Sequence, residues 1–287
     1  MRFLPNGPDI PADLVAAQEK GETLFICGAG VSCTAGLPLF RGLVEGVYRE
    51  LGEDWSPHPA ERDGMESAQY DRVLRSLERR LAASDLPRHR GMRERIRGAV
   101  RARLRAPAGA TLTNHLALLH LSRDDEGRSR LITTNFDTLF ERAWWDACRE
   151  QVSSHAGPAM PQPKVAGFAG VLHLHGRLAD DYGQLQLNET DLVLTSSEFG
   201  EAYLRSGWAS RYVYDLVRAY TIVIVGYQAD DPPIRYLLEA LDADRERYTD
   251  LHQVYAFVPA AGDRYEQERA VARKGGRAGH LHRTGRR

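Results

Sequence analysis

The sequence predicts an α/β protein: a Rossmann-like parallel sheet of about six strands, with helices on both faces and a helical insertion after the first strand–helix unit. Three observations carry this expectation. Strand-like apolar runs recur along the 287 residues. Several of them are continuous rather than alternating, which suits strands covered on both faces. Segments of helical period separate the runs, and strands that alternate with helices argue a doubly wound parallel sheet.

The runs are "LFIC" (24–27), "LITT" (131–134), "VLHL" (171–174), "DLVL" (191–194), "TIVIVG" (221–226) and "VYAFV" (254–258). Helical period marks 11–20, 40–51, 67–83, 92–104, 114–121, 137–149, 197–220 and 231–241. Residues 53–107 show no strand signal and are charged, arginine-rich and helical in period, so they read as the insertion. The loop "SSHAGPAMPQPKVAGFAG" carries Pro158, Pro161 and Pro163 and reads as irregular. One catalytic domain is expected over 1–265. Residues 266–287, basic and glycine-rich at their end, are expected to be a disordered tail.

Composition narrows the function classes. Hydrophobic content of 43% and charged content of 27% are ordinary for a globular chain, and a formal net charge of −1 does not advertise nucleic acid. Cys27, Cys33 and Cys148 include no C-x-x-C pair, so neither a four-thiolate zinc site nor a disulfide framework is expected. That points to a reducing cytoplasm. No apolar run approaches the roughly 20 residues that span a bilayer, and the first residues lack the apolar core of a secretory signal.

Chemistry concentrates where strands end. The first run stops at Gly28-Ala29-Gly30, where missing Cβ atoms let backbone approach a ligand, and a helix follows at about Phe40. Cys33 stands where the dinucleotide fingerprint wants its third glycine, and no G-K-S/T follows, so the turn is neither that fingerprint nor a P-loop. In "LITTNFDTLFERAW", Thr133, Thr134, Asn135 and Asp137 sit at a strand-to-helix junction, where open α/β sheets bind ligands. Asn135 suits a sugar hydroxyl or an attacking water. Asp137 fits a helix cap as well as a catalytic carboxylate. In "VLHLHGRL", alternation puts His173 and His175 on one face; His175, just before Gly176, can act as a base, whereas His173 fits a plain core histidine. Gly226-Tyr227, ahead of Asp230 and Asp231, suits either the adenosine side of a nucleotide or an ordinary loop.

The order of these elements resembles the sirtuin family of NAD-consuming enzymes. It runs G-A-G-x-S through Gly36, Pro38 and Phe40-Arg41, then T-x-N-x-D, then His175-Gly176, then Gly226-Tyr227 with Asp230. "LITTNFDTLFERA", "LTSSE" and "DDPPIRYLLEAL" resemble the bacterial defence branch, whose members hydrolyse NAD to nicotinamide and ADP-ribose. The resemblance implies that Gly28, Ala29, Gly30 and Ser32 contact pyrophosphate or the adjoining ribose, and that Phe40 and Arg41 line the nicotinamide side. It implies that Asn135 and Asp137, beside Thr134, address the nicotinamide ribose and water. His175 would act on ribose hydroxyls, and Gly226 and Tyr227 would border the adenosine. NAD is then substrate and zinc is absent, since the paired C-x-x-C motifs of the deacylases are missing and Leu39 replaces their P-D-F-R aspartate. The expected activity is a cytoplasmic NAD glycohydrolase for anti-phage defence. It would be controlled by homo-oligomerisation or by a partner such as a HerA-type ATPase or a short argonaute, without membrane or direct nucleic-acid binding. The alternatives are an NAD-dependent protein deacylase or ADP-ribosyltransferase, or a non-catalytic NAD or ADP-ribose sensor.

Overall fold

The computed structural model describes residues 1, 3, 8–84, 91–165, 168–180, 185–227 and 251–257. Its strands are β1 (Thr23–Cys27), β2 (Arg130–Thr133), β3 (Ser154–Ala156), β4 (Gly170–His173), β5 (Thr221–Val225) and β6 (Val254–Ala256). They form one six-stranded sheet in the order β3-β4-β2-β1-β5-β6, every adjacent pair parallel. The helix expected at 231–241, residue 258 and the tail at 266–287 lie outside the described residues.

Alternation along the strands divides the core into two layers. Leu24, Ile26, Ile132, Leu172, Ile222 and Ile224 face one side, where α10 (Trp208–Ala219) covers them with Tyr212, Val213 and Leu216. Phe25, Leu131, Val171 and Val223 face the other. There α1 (Ala12–Glu19), α7 (Thr113–Leu121) and α8 (Leu139–Cys148) contribute Leu14, Leu119 and Phe140. Both faces are dry, which is why the sequence shows continuous apolar runs.

A third core lies outside the sheet. After the short α2 (Ala29–Ser32), helices α3 (Phe40–Leu51), α4 (Pro59–Glu66), α5 (Tyr70–Ala82) and α6 (Met92–Arg103) bury Val44, Val47, Val73, Leu77, Ile96 and Val100 together. Phe136, Leu178, Leu192 and Leu194 from the sheet domain pack into the same cluster. Glu61, 1% exposed, is a buried charge and needs partners: the Tyr48 hydroxyl donates to it at 2.8 Å and Arg80 Nε at 2.8 Å.

The structure corrects the sequence reading in three places. Residues 191–194 are not a strand. Val193 N–H donates to His175 O, while the Leu194 and Thr195 N–H groups donate to the Glu198 carboxylate, so the segment has no ladder to offer the sheet. Instead β3 forms inside the proline-containing loop, paired with β4 at the sheet edge; its Ser-His-Ala sequence carries no strand propensity, and the β4 ladder creates it. The helix expected over 197–220 is three pieces: α9 (Ser196–Phe199), a π-helical turn (Gly200–Arg205) and α10, broken at Gly207 with φ 64°.

The chain passes from β1 to β2 on one side and later to β5 on the other, so the carboxyl ends of β1 and β5 flank the topological switch point. Their turns interlock. Gly28 N–H donates to Val225 O at 3.0 Å and Gly30 N–H to Gly226 O at 2.7 Å. A Cβ on Gly30 would lie 2.8 Å from Gly226 O and 2.9 Å from its Cα, and one on Gly226 (φ 61°) would lie 2.6 Å from Val31 N. Gly30→Ala should therefore cost about 1–3 kcal/mol through backbone overpacking. Gly98→Ala, in open space on α6, should add about 0.5–1 kcal/mol. Urea unfolding of the two variants checks this; equal midpoints would refute the interlock as the constraint.

Candidate functional site

The interlocked turns place Ser32, at the end of α2, over the junction between β2 and α8. Asn135 lies there, 6% exposed. Its Nδ2 donates to Gly28 O at 3.3 Å and to Ser32 Oγ at 3.0 Å. A carbonyl oxygen only accepts, so the nitrogen side of the amide must face Gly28. Both amide hydrogens are thus committed, and Oδ1 has no partner among the described residues. The Asn135 backbone is fixed as well. Its N–H donates to Thr133 Oγ1 at 3.1 Å, and its carbonyl lies 3.0 Å from His173 Nδ1.

Ser32 is the node of the cluster. It donates to Asp137 Oδ2 at 3.0 Å and lies 3.2 Å from His115 Nε2 on α7, which is fully buried. Asp137 also accepts the Leu139 N–H at 3.2 Å on Oδ1, so it anchors the start of α8 and Ser32 at once. Burial raises the Asp137 carboxyl above its ordinary value, against the hydrogen bonds from Leu139 and Ser32. Burial pushes the His115 imidazole down to about 4.

Behind Asn135 runs a second chain of polar groups. His173 Nε2 lies 2.8 Å from Glu141 Oε1, and both side chains are buried. Ser154 donates to the same oxygen and accepts from Arg177 Nη1 at 2.7 Å. Burial opposes ionisation of Glu141, yet the charge and hydrogen bond of His173, with the bond from Ser154, hold its carboxyl below the ordinary range. Burial likewise pulls the Arg177 guanidinium down, against the attraction of Glu141.

His175 does not share a face with His173, a further correction. The strand ends at His173, and the turn that follows carries His175 to the α10 side. There its Nε2 meets the Tyr203 hydroxyl at 2.8 Å and its ring packs edge-on against Phe199, centroids 5.1 Å apart. Burial pushes the His175 imidazole down to about 3.

The structure thus gathers Gly28, Ser32, Asn135 and Asp137 directly, with Gly30, Gly226 and Tyr227 at the crossing above them. Ala29 begins α2, and Thr134 N–H donates to Cys27 O at 3.0 Å. Phe40 and Arg41 begin α3, and Phe40 packs against the same helical core as Phe136. Phe40 packs edge-on against Tyr70 in the helical layer, and Arg41 is exposed and paired with Glu45 at 2.9 Å. Among the described residues no cluster of His, Cys, Asp or Glu is arranged to hold a metal ion, and no helix is long and apolar enough to cross a membrane. His115, Glu141, Ser154, Arg177 and Tyr203 were not singled out by the sequence. Glu141 left one signal, a carboxylate directly after the apolar pair Leu139-Phe140.

The solved structure of a Sir2 homolog–NAD complex is similar over 88% of this chain and 90% of its own, at 17% identity and a TM-score of 0.36. Uncharacterized protein y4cA of Sinorhizobium fredii (strain NBRC 101917 / NGR234) is 47% identical over 266 residues, 92% of this chain and 21% of that protein. The chain spans about a fifth of the length of that curated relative. Residues 129–278, just over half of the chain, match the SIR2-like domain family, and the chain belongs to that family.

Proposed function

We propose that this chain binds NAD across the switch point and hydrolyses the bond between nicotinamide and ribose, giving nicotinamide, ADP-ribose and a proton. One observation carries the reading: Asn135 is clamped on both amide hydrogens and at both ends of its backbone, with its acceptor oxygen left over. Family membership supports NAD as the ligand class, and the resemblance of the motifs at Gly28–Ser32, Asn135 and His175 to those of sirtuins supports where it lies.

In this reading water replaces nicotinamide at the ribose carbon, and Asn135 Oδ1 accepts a hydrogen bond from that water to fix its position. Holding reactants in place supplies much of the rate in such a site. Asp137 acts through Ser32 as a positioning residue, because each of its oxygens already accepts a hydrogen bond within the protein. His175, neutral and bonded to Tyr203, orients a ribose hydroxyl; an imidazole pushed down to about 3 is a weak proton acceptor. A role in anti-phage defence by NAD depletion, with control by self-association or a partner protein, extends the reading through the resemblance of the motifs.

One measurement tests it directly. Purified chain incubated with NAD, with products read by chromatography, should release nicotinamide and ADP-ribose in equal amounts. Asn135→Ala should lower turnover on the order of a hundredfold. Parent-rate turnover by that variant would sink the assignment, and tight NAD binding with no turnover by the parent would favour a sensor.

A separate measurement tests the neutral, buried state of the two histidines of the site. Folding lowers His175 to about 3 and His115 to about 4 from an ordinary 6.5, so the unfolded chain takes up those protons first. Their contribution to stability is fully present above pH 6.5 and is lost as pH falls below it, at about 1.4 kcal/mol per pH unit for each histidine. Urea unfolding between pH 7.5 and 4.5 should show that slope. A flat profile would mean that the two rings are not buried in their neutral form.

A further inference from the structure

We propose that His173 is a positioning residue for Asn135, its Nδ1–H donating to the Asn135 carbonyl while its Nε2 is held against Glu141 Oε1. The inference rests on the reading of Asn135 as the water-positioning group and adds the device that aims it.

The argument begins with which atoms can donate. At one end of the polar chain stands Arg177, whose guanidinium only donates; it meets Ser154 Oγ at 2.7 Å. That leaves the Ser154 hydroxyl hydrogen for Glu141 Oε1. At the other end stands the Asn135 carbonyl, which only accepts; it faces His173 Nδ1 at 3.0 Å, so Nδ1 carries a hydrogen. Between these ends, His173 Nε2 faces Glu141 Oε1 at 2.8 Å, and that oxygen already accepts from Ser154. One hydrogen lies in that contact, and the contact pins the ring so that Nδ1–H stays aimed at the Asn135 carbonyl. The hydrogen bonds from Arg177 through Ser154 to Glu141, and from His173 to the Asn135 carbonyl, then run in a consistent sense.

The Asn135 carbonyl belongs to the peptide group that leads into Phe136, and Phe136 is packed into the helical core. A donor on that carbonyl fixes the plane of the peptide group. The plane fixes the direction of the Asn135 Cα–Cβ bond and hence where Oδ1 points. Without the donor, the side-chain bonds to Gly28 and Ser32 would have to hold the residue alone.

Two substitutions separate positioning from packing. An asparagine at 173 places its amide nitrogen near the position of Nδ1, so His173→Asn keeps a donor for the Asn135 carbonyl; His173→Leu does not. Both lose the contact with Glu141, and their side chains are of similar size. His173→Leu is expected to lower kcat for NAD hydrolysis on the order of a hundredfold, with KM changed less than about threefold. His173→Asn should recover most of the loss. Equal kcat values for the two variants would overturn the proposal. So would a fall in KM and kcat together that tracks their unfolding midpoints.

The wild-type chain supplies an arm that needs neither variant nor turnover. Nitrogen-15 NMR of labelled histidine should show a hydrogen on Nδ1 of His173, and a bare Nδ1 would overturn the proposal. Were the parent inactive on NAD, the hydrolase reading would fail by itself, while the NMR result would still decide the state of His173.

Discussion

The close crossing of the turns after β1 and β5 is the constraint from which the site follows. Two strands adjacent in a parallel sheet deliver their carboxyl ends to the same edge, and here both ends turn through glycine with no side chain between them. The Gly30 N–H on Gly226 O locks one turn against the other. From that lock α2 carries Ser32 over the end of β2, where Asn135 and Asp137 leave the sheet. A bulkier residue at either glycine would displace a polar cluster rather than a loop.

The fold was legible wherever burial alone sets the residue type. Continuous apolar runs became β1, β2, β4, β5 and β6, and α3 spans the residues its period indicates. Legibility failed where a partner distant in sequence decides. β3 exists because β4 offers a ladder, and 191–194 is not a strand because His175 O takes the Val193 N–H and Glu198 takes the Leu194 N–H. The same holds for the site. Gly28, Asn135 and His175 stand out because strands end beside them, whereas His115 reaches Ser32 across 83 residues and Tyr203 reaches His175 across 28. No local pattern encodes such pairings. The one readable trace was the carboxylate of Glu141 directly after Leu139-Phe140.

Two carboxylates in this neighbourhood are driven in opposite directions. Asp137 is raised by burial, and the nearby charge of Glu141 adds to that rise. Glu141, as deeply buried, is lowered because His173 and Ser154 outweigh its desolvation. One region of low dielectric thus separates an acid that ionises reluctantly from one held as an anion. Separation of this kind is how a site assigns different roles to chemically similar groups. Here the assignment is structural: the held anion orders what lies behind Asn135, and the reluctant one closes the hydrogen bonds of Ser32.

The helical layer and the site form one packed unit. Phe136, the residue after Asn135, enters the helical core, so the same peptide carries a catalytic candidate on one side and an apolar anchor on the other. On the opposite flank, Arg93 and Arg97 of α6 grip Glu198 at 2.7 Å and 3.4 Å. Glu198 caps the start of α9, which leads through Phe199 into the π-helical turn that presents Tyr203 to His175. Closely packed interiors do not deform continuously, so a displacement of α3–α6 has no slack in which to dissipate before it reaches Asn135 through Phe136 and His175 through Glu198. The two groups on which the proposed chemistry depends are therefore tied, by separate contacts, to the same helical layer.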